Sequence, residues 1–446
     1  MFKKVLIANR GEIALRIVRA LRELGVASVQ VYSEIDADTL AVREADESVR
    51  IGPAAAAQSY LNIPAIIAAA SSRGAEAIHP GYGFLAESAD FARMVADNDM
   101  MWVGPSPESI ALMGNKSQAR QTMQRVGVPT LPGSDGAVGG LDDAVSFADT
   151  VGYPVLIKAS AGGGGRGMRA AANPGELEQA LSSASAEALA AFADGTVYLE
   201  KLIQRPRHIE FQVLADSHGN AVQLFERDCS VQRRHQKLVE EAPSPALDPV
   251  LRARMGEAAL AAVRAVDYVN AGTVEFLLDD DGNFYFMEMN TRVQVEHPVT
   301  EQVTLIDIIK EQLRVAAGEP LSFLERLPAQ PVGHAIELRI NAEDPAHNFW
   351  PSPGTIHRLR LPGGPGVRVD SHVYAGYTVP PHYDSLIAKL IVWGQDRTEA
   401  LARARRALDE FEIEGIKTTI DFHRRLLRDA VFIAGEARTD FLERKL

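Results

Sequence analysis

Residues 274–298 restrict the fold more than any other stretch, because they combine a hairpin pattern with a row of alternating polar side chains. Two runs of apolar and aromatic residues flank the sequence DDDGN at 279–283, and acidic, glycine-containing segments of this kind form tight turns. The pattern predicts an antiparallel β-hairpin. Polar side chains then occupy every second position, which in an extended chain puts them on one face. They are Glu288, Asn290, Arg292, Gln294 and Glu296.

The length of this row limits what it can bind. At about 3.3 Å per residue, Glu288 and Glu296 would stand about 26 Å apart in a straight strand. One small ligand cannot touch all five side chains unless the chain bends, so we expect two adjoining sites. A half-buried strand whose polar face meets water would show the same alternation, and the pattern alone leaves both interpretations open.

The two expected sites differ in chemistry. The first two polar positions, with Glu275 on the paired strand, would offer the hard oxygen ligands that suit Mg²⁺ between phosphate groups. Further along, Arg292 and Gln294 can bind a planar anion. Glu296 lies beside them and is a candidate general base.

The composition is that of a globular protein and argues against several classes of function. Of 446 residues, 46% are hydrophobic and 24% are charged, and a net charge of −13 disfavours general nucleic-acid binding. No apolar run reaches the roughly 18 residues of a membrane-spanning helix. The apolar run after Met1 is too short for a signal peptide, and the single cysteine, Cys229, cannot form an internal disulfide. We therefore expect a cytoplasmic location.

Residues 1–114 show the alternation of strand and helix patterns that is typical of a parallel α/β sheet. Residues 5–8 have a buried-strand pattern, residues 13–24 carry a helical apolar stripe, and Gly25 stands where a C-cap glycine belongs. A second strand pattern at 28–32 follows at once, which predicts a doubly wound sheet. No GxGxxG sequence follows the first strand, so no dinucleotide site is expected. The HPGYGF loop at 79–84 would approach a ligand or form a plain turn.

A domain boundary is predicted near residues 126–140, where glycine and proline cluster. Beyond it, a strand pattern ends in Lys158, and residues 161–168 have the sequence AGGGGRGM. Consecutive glycines leave backbone N–H groups free to approach phosphates and allow a loop to close over a ligand. The segment lacks the Lys-Ser or Lys-Thr of a Walker A motif, and a plain flexible turn would have the same composition.

Residues 227–237, RDCSVQRRHQK, form a basic island in an acidic protein. Its cations could hold phosphate or bicarbonate, although a solvated surface patch would look the same. Cys229 lies in this segment without a base partner that the sequence can assign, so we expect no nucleophilic role. Residues 208–214 alternate like a half-exposed strand, and His208 taken alone is typical of a structural histidine. The region after residue 204 is predicted to be α+β, with an amphipathic helix at 398–411.

Together these segments resemble those of the biotin carboxylase family, the ATP-grasp component of biotin-dependent carboxylases. The resemblance is carried by KVLIANRGEI at 4–13, HPGYGF at 79–84, AGGGGRGM at 161–168, RDCSVQRRHQK at 227–237, EMNTRVQVEHPVT at 288–300 and RINAED at 339–344. It covers essentially the whole chain and implies an ATP-grasp fold of α/β and α+β type. The implied parts are an N-terminal doubly wound α/β domain at 1–114, a connecting segment at 115–130, a mobile lid domain at 131–203 and a mixed C-terminal domain at 204–446.

The resemblance also implies a reaction: ATP with Mg²⁺ or Mn²⁺, bicarbonate and biotin give ADP, phosphate and carboxybiotin through carboxyphosphate. Bicarbonate must lose a proton before its oxygen attacks the γ-phosphate, so a carboxylate base beside an arginine-held anion is the required pairing. A separate biotin carboxyl carrier protein would bring the biotin, because no biotin-carrying domain fits within this chain. Carboxyltransferase subunits would be further partners. The family forms homodimers, and we expect the helix with Arg16, Arg19 and Glu23 to take part.

Residue roles follow from the resemblance position by position. ATP would contact Lys116, Lys158, Gly164, Gly165, Glu200, Lys201, Leu202, Ile203, His208, Gln232, His235, Glu275 and Glu288. The metal would be held by Glu275, Glu288 and Asn290. Bicarbonate would be bound by Lys237, Arg292, Gln294 and Val295. The catalytic residues would be Glu296 as base, Arg339 as the stabiliser of the biotin enolate, Arg292 and Lys237.

Three alternatives remain open at this stage. Another ATP-grasp ligase would join a carboxylate to an amine and would not require bicarbonate. A nucleotide-binding regulatory subunit would have no need to keep Glu296, Arg292, Arg339 and Lys237 together. Within the family, the chain could serve a propionyl-CoA, methylcrotonyl-CoA or pyruvate carboxylase. Ending at Leu446 without further domains favours acetyl-CoA carboxylase, which forms malonyl-CoA for fatty acid synthesis.

Overall fold

The N-terminal part of the protein is a parallel sheet flanked by helices. The computed structural model describes residues 1–134, 136–159, 168–192 and 194–445. The strands of this first sheet are β1 (Lys4–Ile7), β2 (Ala27–Ser33), β3 (Glu47–Gly52), β4 (Ala77–His79) and β5 (Met101–Trp102). The helices are α1 (Gly11–Glu23), α2 (Leu40–Glu44), α3 (Ile63–Arg73), α4 (Ala89–Asp97) and α5 (Pro107–Gly114). The strand order β3-β2-β1-β4-β5 is that of a doubly wound sheet, which confirms the prediction.

Helix α1 shows how the sequence pattern produces this layer. Ile13, Ile17 and Leu21 recur at helical spacing and are buried against the sheet, and the helix ends just before Gly25. Gly25 has φ +70°, the left-handed conformation that glycine adopts most readily after a helix. The same helix presents Glu12 to the interior of the molecule, where only 4% of this residue is exposed.

A smaller unit follows the N-terminal domain and has its own core. Its elements are α7 (Leu141–Val151), β6 (Val155–Ala159), β7 (Met168–Ala171), α8 (Pro174–Phe192) and β8 (Val197–Lys201). Helix α6 (Lys116–Arg125) precedes this unit and packs outside its core. The three strands form an antiparallel sheet in the order β7-β6-β8. Backbone contacts at residues 129–133 join this unit to the rest of the chain, where Phe286 N–H donates to the carbonyl of Pro129 and Gly133 bridges to Glu200.

An eight-stranded antiparallel sheet forms the centre of the molecule. Its strands are β9 (Arg207–Ala215), β10 (Ala221–Arg233), β11 (Gln236–Ala242), β12 (Asn270–Leu278), β13 (Phe284–Asn290), β14 (His334–Asn341), β19 (Val367–Ser371) and β21 (Leu386–Gly394). Between β14 and β21 lie the short strands β15 (Glu343–Asp344), β16 (Trp350–Pro351), β17 (Gly354–Thr355), β18 (Arg358–Arg360) and β20 (Thr378–Val379). The central order is β13-β12-β9-β10-β11-β14-β21-β19. Strands far apart in sequence therefore become neighbours.

Helices cover this sheet and complete its core. They are α9 (Pro249–Ala265), α10 (His297–Thr304), α11 (Ile308–Ala316), α12 (Arg397–Glu410), α13 (Ile420–Leu426) and α14 (Ala430–Ile433), with the strand β22 (Glu412–Glu414) after α12. The predicted amphipathic helix near 398–411 corresponds to α12, whose Ala400, Leu401, Ala404 and Leu408 are buried. Among the described residues, no helix is long and apolar enough to cross a membrane.

Two local expectations from the sequence are wrong. Strand β9 was expected to be half-exposed, but all its residues are buried, because β12 and β10 flank it on both sides and helices cover it. The polar row was expected to continue in an extended chain to Glu296, but β13 ends at Asn290 and helix α10 begins at His297. The chain bends between these two residues.

Candidate active site

The site is built on strands whose acidic residues lie at one level of the sheet. Glu275 of β12 is directly opposite Glu288 of β13 and Glu210 of β9. Directly opposed residues on antiparallel strands point to the same face, so the three carboxyl side chains share one side of the sheet. Glu210 and Glu275 are buried, whereas Glu288 is half-buried. The predicted hairpin is therefore present, with one edge of the site on it.

The bend after Asn290 turns the expected row into one compact pocket. Gln294 returns toward the sheet, and its Nε2 donates to Glu275 Oε1 at 2.7 Å. Asn290 Nδ2 donates to the same oxygen at 2.9 Å. Residues of both expected sites therefore contact the same carboxylate, that of Glu275.

Lys237 occupies the centre of this pocket. Its Nζ lies 2.6 Å from Glu210 Oε2, 3.0 Å from Glu275 Oε1 and 2.7 Å from Glu296 Oε1. An ammonium has three donors, and three carboxylates take them here. Burial would lower the pKa of Lys237, but Glu210 and Glu275 outweigh it and raise the pKa well above its ordinary value. Lys237 is therefore a permanent cation at neutral pH.

Glu296 is held between two cations in a dry environment. Only 2% of the residue is exposed, and its second oxygen accepts from Arg339 Nη2 at 2.9 Å. Burial opposes a charge on this carboxyl, but Lys237 and Arg339 outweigh it, so the pKa of Glu296 lies well below its ordinary value. Glu296 is consequently ionised and able to accept a proton.

Arg339 is fixed by both its side chain and its backbone. Its Nε donates to Glu240 Oε1 at 2.6 Å, beside the bond to Glu296. Its carbonyl accepts from Thr419 Oγ1 at 2.8 Å and contacts His423 Nε2 at 2.7 Å. Glu240 lies on the neighbouring strand β11, so one side-chain contact of Arg339 is made across the sheet and the other reaches Glu296 in the pocket.

Arg292 connects the pocket to the N-terminal domain. Its Nε lies 3.0 Å from Glu87 Oε2, and its Nη2 donates to Asn290 Oδ1 at 3.0 Å. Glu87 also accepts from the backbone N–H of Thr291. The loop that follows the HPGYGF segment therefore supports the bend that carries the polar side chains.

Lys389 supports the same bend from behind. It lies on β21 and is fully buried, with Nζ donating to the carbonyl of Val295 at 2.8 Å. The same ammonium lies 3.1 Å from Glu12 Oε1 on α1. Tyr82 of the HPGYGF loop donates to Glu12 as well. The N-terminal helix, the bend and the C-terminal strand thus meet at one buried cation.

The residues expected to bind ATP fall into two groups. One lies in the small unit, where Lys158 of β6 pairs with Glu200 of β8, while Lys201 turns away to donate to the carbonyls of Gly152 and Tyr153. Leu202 and Ile203 follow directly as the chain leaves β8. Gly164 and Gly165, and with them the glycine-rich loop predicted to close over phosphates, lie outside the described residues.

The second group lies on the large sheet and next to it. Lys116 Nζ is 3.4 Å from Glu288 Oε2, and His208 Nε2 is 2.9 Å from Glu275 Oε2. Burial would lower the pKa of His208, but the carboxylate of Glu275 outweighs it and raises the pKa above its ordinary value. Gln232 is buried near the end of β10, and His235 is exposed in the turn that follows.

The residues expected to hold a metal offer oxygen ligands, which are the type that hard divalent cations prefer. Glu275 and Glu288 are opposed carboxylates, and Asn290 adds an amide. In the present arrangement the Asn290 oxygen accepts from Arg292, so holding Mg²⁺ or Mn²⁺ with it would require the amide to turn. His208, Glu210 and Glu275 also bring possible ligand atoms within 4.8 Å of one another. Because Lys237 already binds two of these carboxylates, we assign that group to charge pairing.

Sequence reasoning missed four residues that complete the site: Glu87, Glu210, Arg227 and Glu240. The alternation at 208–214 was a signal for Glu210, since it places that carboxyl on the same face as His208. Arg227 stood at the start of the basic island, but its burial could not be read from the pattern. Glu87 and Glu240 contact site residues that lie far away in the sequence, so no local pattern indicated them.

These features define an ATP-grasp enzyme: a central sheet with paired carboxylates and cations, and a small unit with a lysine-bearing strand. Family descriptions match consecutive parts of the chain. Residues 1–110 match "Biotin carboxylase, N-terminal domain", residues 115–324 match "Carbamoyl-phosphate synthase L chain, ATP binding domain", and residues 337–444 match "Biotin carboxylase C-terminal domain". The chain is 58% identical over 445 residues to the protein named Biotin carboxylase from Nostoc sp., with 99% of each chain covered.

Solved structures agree with these matches. The structure of a biotin carboxylase–βγ-ATP complex from Campylobacter jejuni is 52% identical, has a TM-score of 0.94 and covers 100% of this chain and 99% of its own. The biotin carboxylase domain dimer of the Hydrogenobacter thermophilus 2-oxoglutarate carboxylase, a complex with MgADP, ADP and bicarbonate, is 50% identical with a TM-score of 0.92, covering 100% and 98%. The chain therefore belongs to the biotin carboxylase family.

Proposed function

We propose that this chain carboxylates biotin on a carrier protein, using bicarbonate and MgATP, as the first half-reaction of an acetyl-CoA carboxylase. ATP and bicarbonate give ADP and carboxyphosphate, which decomposes to carbon dioxide and phosphate before a biotin nitrogen attacks the carbon dioxide. The observation that carries the proposal is Glu296. It is an ionised base held between Lys237 and Arg339 in a pocket with almost no access to water.

The bicarbonate anion would be held by groups that surround this base. Lys237 and Arg292 supply positive charge, and Gln294 supplies amide N–H groups. The carbonyl of Val295 is taken by Lys389, which leaves the Val295 N–H as the backbone group offered to the anion. The oxygens of the planar anion would thus meet these four donor groups, while its acidic proton would face the carboxylate of Glu296.

Anion binding would also activate the base. In the geometry described above, two cations keep the pKa of Glu296 low and make it a weak base. Bicarbonate placed against Lys237 would share the donors of that ammonium, so less positive charge would act on Glu296 and its pKa would rise. The base would become stronger only when its substrate is bound, which suits a proton transfer near neutral pH.

The nucleotide would lie between the small unit and the central sheet. Lys116, Lys158 and His208 would face the phosphates of the nucleotide. Residues 200–203, at the end of β8, would contact its adenine ring. Glu275 and Glu288 would hold the divalent cation, with Asn290 as a further ligand. The cation would neutralise phosphate charge as the γ-phosphate is transferred. Carboxyphosphate hydrolyses easily, so the site has to exclude water while this intermediate is present.

Arg339 would act in the second part of the reaction. When the biotin ureido nitrogen loses its proton, negative charge develops on the ureido oxygen, and a fixed guanidinium can stabilise it. The backbone contacts of Arg339 to Thr419 and His423 support such a fixed position. Carboxybiotin would then leave on the carrier protein for a carboxyltransferase partner.

We also propose a homodimer that uses the surface around α1. Arg16, Arg19, Glu23 and Leu305 line a cleft of about 350 Å³. Leu305 is 82% exposed, an unusual position for a leucine on a surface otherwise rich in charge. The biotin carboxylase domain from Hydrogenobacter thermophilus is described as a dimer, which supports this assembly.

The experiment that tests the reaction measures ATP hydrolysis with and without bicarbonate and biotin. We expect hydrolysis to require bicarbonate, free biotin to accelerate it, and labelled bicarbonate to appear in carboxybiotin. Hydrolysis that is independent of bicarbonate but stimulated by an amine and a carboxylic acid would favour a different ATP-grasp ligase. Purification together with a carboxyltransferase, followed by assay with acetyl-CoA and other acyl-CoA acceptors, would test the acceptor.

A further inference from the structure

Arg227 lies under the floor of the pocket and is completely buried. It stands in the middle of β10, where its side chain points to the same side of the sheet as Glu210 and Gln294. An arginine in such a place carries a full charge out of water, which is costly unless charge and N–H groups are all satisfied. In Arg227 the charge is paired with Glu210, and every N–H group is bonded.

Each of the five N–H groups of this guanidinium has its own acceptor. The Nε donates to Glu210 Oε1 at 2.5 Å. The Nη1 atom donates to Gln212 Oε1 at 2.8 Å and to Thr300 Oγ1 at 3.0 Å. The Nη2 atom donates to Thr273 Oγ1 at 3.2 Å and to Gln294 Oε1 at 2.7 Å. Such complete satisfaction fixes the position of every acceptor as well as that of the arginine.

The contact to Gln294 decides which end of its amide faces the site. Because Arg227 takes the oxygen, the NH₂ group must point the other way, where it donates to Glu275 at 2.7 Å. An amide rotated by half a turn would place its NH₂ against the guanidinium and lose both bonds. Gln294 is therefore held as a donor toward the anion pocket.

The contact to Glu210 controls the position of Lys237. Glu210 gives one oxygen to Arg227 and the other to Lys237, at 2.5 and 2.6 Å. Without the guanidinium this buried carboxylate would lose one of its two cations and could turn more fully onto Lys237. The ammonium would then be less available to an anionic ligand.

We propose that Arg227 is the positioning residue of the bicarbonate site, acting through Gln294 and Glu210 without touching the substrate. This inference rests on the proposed function, because it takes the anion to be bicarbonate. The buried guanidinium would determine the affinity for bicarbonate, and it would have little effect on the binding of ATP. Thr300 ties helix α10, which begins directly after Glu296, to the same hub.

The test is a steady-state comparison of Arg227→Lys with the parent. A lysine keeps the charge but has a point-like ammonium with three donors, so it cannot replace all five hydrogen bonds that the guanidinium makes. We expect KM for bicarbonate to rise by about tenfold or more, with KM for ATP changed by less than about threefold. Thr300→Val removes a single acceptor and should change KM for bicarbonate in the same direction by a smaller factor.

Arg252→Lys is the matched control. Arg252 makes a similar half-buried pair with Glu226, the residue before Arg227 on β10, through three N–H to carboxylate contacts of 2.8–3.0 Å. That pair lies on the other side of the strand, against helix α9. The control variant should keep the parent KM for both substrates. Thermal melts of all variants establish that each is folded.

A second measurement separates this inference from the proposed function. Melting curves with added bicarbonate but without ATP report binding in the absence of turnover, and bicarbonate should stabilise the parent and Arg252→Lys but not Arg227→Lys. Equal losses toward both substrates, or an unchanged bicarbonate KM in a folded Arg227→Lys variant, would overturn the positioning role. A parent that binds bicarbonate but shows no bicarbonate-dependent hydrolysis would instead refute the proposed reaction and leave the binding comparison to decide the role of Arg227.

Discussion

Arg339 Nη2 lies 2.9 Å from Glu296 Oε2, so the group expected to stabilise the biotin enolate directly contacts the group expected to deprotonate bicarbonate. Residues for two successive steps thus share one ion pair, although they stand 43 positions apart in the chain. The charge of each of these two groups therefore affects the pKa of the other. Replacing each residue separately should therefore affect a different step of the reaction.

Replacing the base should remove bicarbonate-dependent chemistry while ATP binding survives. For Glu296→Gln we expect bicarbonate-dependent ATP hydrolysis to fall by about 10²–10⁴-fold, the usual effect of losing a general base, because no other carboxylate among the described residues contacts both Lys237 and Arg339. The measurement is steady-state ATP hydrolysis, with KM for ATP followed in parallel. Glu311→Gln, a change at a buried carboxylate that pairs with Arg314 far from the pocket, is the control. Turnover within about threefold of the parent would exclude Glu296 as the base.

Replacing Arg339 should separate the two half-reactions. In Arg339→Gln we expect biotin carboxylation to fall by about 10²–10³-fold, as for the loss of one charge-stabilising donor. Biotin-independent ATP hydrolysis in bicarbonate should be largely retained, since Lys237 still binds Glu296. Both activities are measured with free biotin as acceptor. Arg397→Gln, which breaks another pair with a buried carboxylate, serves as control. Equal loss of the two activities in a folded variant would falsify the assigned role.

Glu241 should make stability depend on acid pH. Burial would raise its pKa, but His334 and Arg397 outweigh it and lower the pKa from 4.5 to about 2. A carboxyl with a depressed folded pKa stabilises the protein above its unfolded pKa, and this stabilisation is lost as pH falls from about 4.5 toward 2. Urea unfolding of the parent and of Glu241→Gln between pH 7 and pH 3 should show their difference in free energy of unfolding shrinking only in the acid range. The full effect is on the order of 3 kcal/mol. A difference that stays constant with pH would contradict the assignment.

Arg19 should matter for assembly. In the structure Arg16 pairs with Asp307 and Glu23 pairs with Lys310, whereas Arg19 is exposed on the same face of α1. Reversing its charge adds an anion to a surface that already contains Glu23 and Asp307. We expect Arg19→Glu to weaken the dimer in sedimentation velocity at micromolar concentration, and Arg93→Glu on α4 to leave it unchanged. A parent that sediments only as a monomer under these conditions would show that the proposed dimer is wrong.

The sequence predicted local features well, because each depends on neighbouring residues. The parallel N-terminal sheet, the hairpin at 274–290 and helix α12 all follow from periodicity and turn residues. The bend after Asn290 was not predicted, because polar residues continue to alternate in the sequence up to Glu296 although the extended strand ends at Asn290. Only the requirement that one small ligand touch several of these side chains hinted at it.

The partners of the site residues could not be predicted for a different reason. Glu210 meets Glu275 because β9 pairs with β12 across 65 residues of sequence, and Glu240 meets Arg339 because β11 pairs with β14. Such pairings are set by how the strands assemble into one sheet, and no single segment records them. For the same reason Arg227 looked like part of a surface patch, although it is completely buried and all five of its side-chain N–H groups are bonded.

Lys389 also sets the order in which a newly made chain can become competent. Its partner Val295 is made 94 residues earlier, and Glu12 earlier still. Chains fold from the N-terminus as they are synthesised. Until β21 joins the sheet, no ammonium lies behind the Val295 carbonyl, and the bend that would hold bicarbonate lacks its support. Support for the proposed bicarbonate-binding bend therefore depends on residues from both ends of the chain, Glu12 and Lys389, although the site residues themselves lie between them.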